Sequence, residues 1–177
     1  MLDHALKLCS ASDFAGWYME HAQLLESAAV AYLLGLAANN PTYWDDLLEN
    51  SAGALRIYAG ESSLEMDGQN IMAYIEGDMG EEDPPCSGNR WADLIIRLKT
   101  PSVKKSPDAQ LVSHQANANA LQSAVLAATL PDLLTAAQAG LTVFGVKDRQ
   151  PFREQDGTGW TSGWKISLYS CPATFPN

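Results

Sequence analysis

Glu76, Asp78, Glu81, Glu82 and Asp83 place five carboxylates within eight residues, the hard oxygen donors that a Ca2+ or Mg2+ ion would take. Their spacing follows no EF-hand, and Pro84 and Pro85 stiffen the exit of the segment instead of wrapping it around an ion. The cluster therefore reads as a solvated acidic loop. His4, His21 and His114 lie in separate segments, the latter two on helical stripes, where a hydrogen-bonded packing histidine is the commoner case than a ligand or base. Cys171 has no neighbouring His or helix start to activate its thiol. Gly157 and Gly159 lack the helix and Lys that a phosphate cradle needs. Trp91, Trp160 and Trp164 could stack nucleobases, but the acidic background favours core or subunit packing. No nucleophile, base and oxyanion site assemble from these residues, so the expectation is a protein that is not an enzyme and has no cofactor and no metal.

The positions of these residues depend on what the chain can build. Its 177 residues suit one domain that buries about 70% of its unfolded surface. Cys9, Cys86 and Cys171 show no C-x-x-C spacing and read as reduced thiols, although one bridge with one free thiol satisfies the same count. Asp3, His4 and Lys7 interrupt any signal-like apolar start, and the Ala-rich run 28–38 is short of a bilayer span. A soluble, cytoplasmically made protein with no membrane partner is expected. With 21 Asp and Glu against 11 Lys and Arg, a net charge of -10 argues against affinity for phosphate backbones. It suits a surface that nucleic acid passes without adhering.

Periodicity gives the elements. Ser12 is a candidate N-cap for a long amphipathic helix on which Phe14, Trp17, Tyr18, His21, Leu25, Ala28 and Tyr32 recur, ended by Asn39, Asn40 and Pro41. Trp44, Leu47 and Leu48 suggest a short helix. Alternation then predicts strands around Leu55 and Ile57, from Ile71 to Glu76, and from Trp91 to Leu98 with Ala92, Leu94, Ile96 and Leu98 inward. Residues 76–89 read as an exposed loop and Lys99–Pro107 as a linker. Ser106, Pro107 and Asp108 start a helix whose stripe is Leu111, His114, Ala118, Leu121, Val125 and Ala128, and a second helix, Pro131–Ala139, stops at Gly140. Leu141–Val146, apolar on both faces, reads as a central strand, and Trp164–Tyr169 as a strand with one wetter face. Between them Lys147–Thr158 reads as a projecting charged loop.

The expected fold is thus α+β: a mostly antiparallel sheet of about five strands covered on one face by helices, with residues 1–50 as an additional helical segment before the domain at 51–177. Arg56, Tyr58, Arg97, Lys165 and Tyr169 would line the other face, toward water or another subunit. Long charged loops on a rigid sheet tend to make contacts, which nominates Glu81, Glu82, Asp83, Arg149, Arg153, Glu154 and Asp156 as interface residues.

From about Leu55 to Pro172, YAGESSLEMDGQNIMAYIEGD, EDPPCSGNRWADLIIRLKTP, the capped helix, and LTVFGVKDRQPFREQDGTGWTSGWKISLYSCP with its W-x-x-x-W resemble the small tail-terminator proteins of long-tailed bacteriophages and prophages. The helical material before Trp44 is longer than is usual in that family. The resemblance implies a structural virion protein of the neck, made in the host cytoplasm. It would form a hexameric ring on the last ring of tail tube protein, end tube polymerisation and meet a head–tail connector protein while DNA passes the lumen. The same residues suit another head–tail connector or head-completion protein, or a cytosolic binding module such as an immunity or adaptor protein.

Overall fold

Alternating β-branched and aromatic residues build one sheet, and three apolar helical stripes close one face of it. The computed structural model describes residues 11–60, 68–81, 90–102 and 107–172, and within these the side chains of 11–19, Asp78, Glu81 and Pro172 are not described. In chain order the elements are α1 (Ala11–Asn39), a short 3-10 turn (Asp46–Leu48), β1 (Ile57–Ala59), β2 (Asn70–Glu81) and β3 (Arg90–Pro101). Then follow α2 (Pro107–Val125), α3 (Leu130–Ala137), β4 (Leu141–Asp156) and β5 (Gly159–Pro172). The sheet order is β1-β2-β3-β5-β4, with β1 and β2 parallel and all other pairs antiparallel. The fold is α+β, with α1 as the N-terminal helix packed on the sheet.

Strand alternation sorts the two faces. Ala92, Leu94, Ile96 and Leu98 of β3 and Ile166 and Leu168 of β5 are buried, as the sequence predicts. They share one core with Leu25, Ala28 and Leu33 of α1, Leu121 and Val125 of α2, and Leu134 of α3. Aromatic side chains tie the helices together through backbone carbonyls: Tyr32 Oη donates to Ala124 O at 3.0 Å, Tyr43 Oη to Ala120 O at 2.9 Å, and Trp44 Nε1 to Leu33 O at 3.2 Å. Ala124 O is one of the last four carbonyls of α2, which find no N–H in a further helical turn, so the Tyr32 bond helps to satisfy it. Burial pushes the Tyr32 phenol up to about 12.

Several boundaries differ from the expected ones, each for a physical reason. Lys147–Thr158 is not a loop. β4 runs unbroken through the charges to Asp156 and turns tightly into β5, and β3 pairs with β5 as far as Pro101 opposite Gly159, so nothing projects. The charges belong to an edge strand, where Lys, Asp, Arg, Pro151 and two register irregularities blunt a row of unpaired backbone groups. Leu141–Val146 is accordingly at the edge and not central: Val143 is buried, but Phe144 is 53% exposed and leans on Tyr169 at 5.5 Å between ring centroids. Of the loop expected at 76–89, residues 76–81 are strand, because Gly77 at φ +70° and a register shift between Glu76 and Gly80 carry β2 on to Glu81; Glu82 to Asn89 lie outside the described residues.

Lys99–Pro101 belongs to β3, with Thr100 buried. α1 is already helical at Ala11, so Ser12 is not its cap, and the described part of its stripe, His21, Leu25, Ala28 and Tyr32, is buried. The Ser106 cap falls outside the described residues. α2 ends at Val125, leaving Ala128 exposed, and α3 spans Leu130–Ala137, with Gly140 at φ +84° three residues beyond. In the 3-10 turn Leu48 is buried while Leu47 is 44% exposed.

Candidate functional site

α3 has only eight residues and covers the first part of β4, where Thr135 Oγ1 accepts from Val143 N at 2.9 Å. No described helix lies above the far half of β4, which leaves an open groove between its inner face and α2 among the described residues. Two adjoining cavities of about 410 and 380 Å3 make up this groove and share Ala118, Arg153 and Ser162. Trp160, Ser162 and Trp164, at alternate positions of β5, form the floor, and Gln115, Asn119 and Gln122 of α2 stand along one wall. The register opposes Arg153 to Ser162, so its guanidinium is on this inner side.

A buried polar chain runs beneath the groove. Asn117 Nδ2 donates to Gln69 Oε1, and Gln69 Nε2 donates to Thr100 Oγ1 at 2.7 Å. Thr100 Oγ1 lies 2.8 Å from His114 Nδ1, and His114 Nε2 lies 2.9 Å from Ser162 Oγ. Asn117 Oδ1 accepts from Asp45 N at 2.7 Å, and Ser113 Oγ donates to Asp45 Oδ1. Burial holds His114 below its ordinary value, and the Arg153 charge adds to this.

Ser162 and His114 make the contact of a nucleophile with its base. Ser162 nevertheless sits on a strand paired on both sides, whose N–H groups lie in the sheet plane and are taken up by the ladder, so they do not face its Oγ. What the chain of bonds does is pin α2 to β3, β5 and the turn at Asp45. Sequence reasoning named His114 as a packing histidine but missed Gln69, Thr100, Asn117 and Ser162. The available signal was polar residues interrupting otherwise apolar stripes.

No described helix covers the outer face of the sheet. Lys165 Nζ bridges Glu76 at 2.8 Å and Asp93 at 2.9 Å, and Ser167 Oγ donates to Asp93 at 2.6 Å. Hydrogen bonds to both carboxylates raise Lys165; burial works against Asp93, yet the bonds from Ser167 and Lys165 keep its carboxyl below the usual value. Arg97 lies 5.3 Å from the Tyr74 ring centroid, and Lys147 lies 5.2 Å from that of Trp91, which packs on Tyr169. Beneath these long side chains Met72 and Ile95 are each 3% exposed. Of the residues expected on this face, Arg97, Lys165 and Tyr169 are there, and Tyr58 opposite Met72 is 37% exposed. Arg56 instead donates to Leu47 O at 3.2 Å.

The nominated interface residues separate. Arg149 is half-buried on the inner face opposite Ile166 and donates to Ala127 O at 3.4 Å, just beyond the end of α2. Arg153, Glu154 and Asp156 are exposed. Asp156 closes the β4–β5 turn, its Oδ1 accepting from Thr158 N at 2.7 Å, Thr158 Oγ1 at 2.5 Å and Gly159 N at 3.1 Å, and the bond from the Thr158 hydroxyl chiefly holds its carboxyl low. Glu81 ends β2 opposite Arg90, and Glu82 and Asp83 lie outside the described residues. Trp160 and Trp164 are half-buried in the groove floor, and burial raises the free Cys171 thiol. Among the described residues no His, Cys, Asp and Glu group could hold a metal ion, and no single helix is long and apolar enough to cross a membrane. Comparison of the chain with protein-family models and with curated proteins gives no match.

Proposed function

We propose that this chain is a structural protein of a bacteriophage neck that assembles as a hexameric ring, caps the tail tube and joins it to the head. The observation that supports the reading best is the one-sided sheet. Helices close one face, while four strands present an outer face that no described helix covers, on which charges of both signs and aromatic rings are already ordered against one another. Such pre-ordered side chains lose little freedom when a neighbouring subunit or tube ring meets them, and mixed charge fixes the register of the contact. The sequence resemblance to tail terminators and the net charge of -10 agree with a ring around a DNA channel.

The test is mass and shape: light scattering with negative-stain imaging should show a six-membered ring, and addition to purified tail tubes should cap one end. A protein that stays monomeric at high concentration and ignores tubes overturns the proposal in favour of a cytosolic binding module. A ring that binds heads but not tubes replaces it with a head-completion role.

A further inference from the structure

We propose that the groove between α2 and the inner face of β4 and β5 receives the acidic β2–β3 connection of a second copy of this chain. The inference rests on the ring reading and names its subunit contact.

Arg153 is the first ground. In a chain with 11 Lys and Arg against 21 Asp and Glu, the other described cations of β4 and β5 are engaged. Lys165 bridges two carboxylates, Arg149 reaches Ala127 O, and Lys147 lies over Trp91. Arg153 is exposed, lines both cavities and makes no hydrogen bond or ion pair among the described residues; its one interaction is unfavourable, against His114. Glu154 stands at the rim of one cavity but opposes Thr161, so alternation turns it toward the outer face, whose pocket it also lines. The groove therefore offers an unneutralised guanidinium above two tryptophans, beside the amides of Gln115, Asn119 and Gln122. That chemistry fits a carboxylate-bearing extended segment, the guanidinium taking the carboxylate and the amides taking backbone groups.

The second ground is where such a segment exists. Residues 76–83 carry five carboxylates and no cation, and of these Glu76 is held by Lys165. The connection leaves β2 at Glu81 and enters β3 at Arg90, which pairs with Ser170, whereas the groove is centred on Ser162 of the same strand. Eight residues of strand separate the two sites by about 26 Å, so they meet between copies and not within one. A contact from one end of a subunit to the other end of the next is heterologous, the kind that closes a ring.

Arg153→Glu, Arg153→Gln and the double variant Glu81→Arg with Glu82→Arg test it in the full chain. Arg153 makes no hydrogen bond or ion pair among the described residues, so its variants should keep the parent's thermal midpoint. By analytical ultracentrifugation each should raise the concentration needed for ring formation by about tenfold or more, the effect of losing a well-placed charge pair. Combining Arg153→Glu with the double variant should restore assembly toward that of the parent. If the parent forms rings and Arg153→Glu forms them equally well, the inference falls while the ring reading stands. If Arg153→Glu leaves the ring intact but abolishes capping or joining, the occupant is a different protein and the inference is overturned. A parent that never forms a ring removes both.

Discussion

His21 is 1% exposed, with Nε2 3.0 Å from Ser170 Oγ, and burial together with the nearby Arg90 charge lowers it to about 4. The unfolded chain binds a proton there near 6.5, so between those values the unfolded state holds more protons and stability falls as the pH falls. The loss due to His21 should be on the order of 3 kcal/mol, complete only below about pH 4, and His114, also held below its ordinary value by burial, acts in the same direction. Denaturant titrations at pH 7 and pH 4.5 should show a smaller acid loss for His21→Gln than for the parent; equal losses would contradict the assignment. A burial prediction belongs at the same scale. Leu168 is fully buried under the helices, and Leu168→Ala should cost about 2 to 5 kcal/mol through lost transfer energy and a cavity; an unchanged midpoint would misplace the strand. Both residues were legible in the sequence because each sits on a clean stripe, period 3.6 for His21 and period 2 for Leu168. The polar partners of the two buried histidines were not, since Ser170 for His21 and Thr100 and Ser162 for His114 join chain segments that no local pattern connects.

At the scale of elements, β4 is where local pattern and tertiary outcome parted. Lys147, Asp148, Arg149, Arg153, Glu154 and Asp156 read as a loop because charge density usually marks solvated backbone, yet an edge strand has the same composition for a different reason, avoidance of pairing with strangers. Two glycines fit the hairpin into the sheet. A Cβ at Gly163 would collide with the Phe152 ring and with Ile96 O, and one at Gly159, at φ +152°, would meet Thr100 O. Gly163→Val should therefore force the hairpin away from β3 and cost about 1 to 3 kcal/mol or more, read as a lowered thermal midpoint; a midpoint equal to the parent's would show that the ring and strand shift freely. Arg149 and Arg153, only four residues apart, should also separate. Arg149→Glu loses the bond to Ala127 O beside the end of α2 and sets an anion there against the helix dipole, so it should unfold at lower temperature, whereas Arg153→Glu should not. The same midpoint for both would place Arg149 in solvent.

For the whole molecule, the α+β class was legible because one helix, three strands, helices and two strands alternate cleanly in period, and a sheet with one apolar face must be covered on that face. Which strand lies at the edge, and that α3 is too short to cover all of β4, depend on long-range pairing that sequence pattern does not carry, and the groove follows from both. The charge balance, by contrast, is set by composition alone and carries a prediction about DNA. If the chain rings a channel through which a genome passes, every Lys or Arg facing the phosphates would add affinity and slow passage. The excess of 21 Asp and Glu over 11 Lys and Arg supplies the opposite property, and three cations of the outer face are already committed, Lys165 to Glu76 and Asp93, Lys147 to Trp91 and Arg97 to Tyr74, while Lys99, a fourth, acts on the Asp156 carboxylate. At about 0.15 M salt, where unneutralised charge acts over about 8 Å, the purified protein should show no binding to duplex DNA in a gel-shift titration. Removing salt should not create binding, because repulsion strengthens as screening is withdrawn. Tight binding that weakens with salt would mean that a cationic surface faces the DNA, and Trp160 and Trp164 beside Arg153 would then have to be weighed as a base-stacking site instead of a subunit contact.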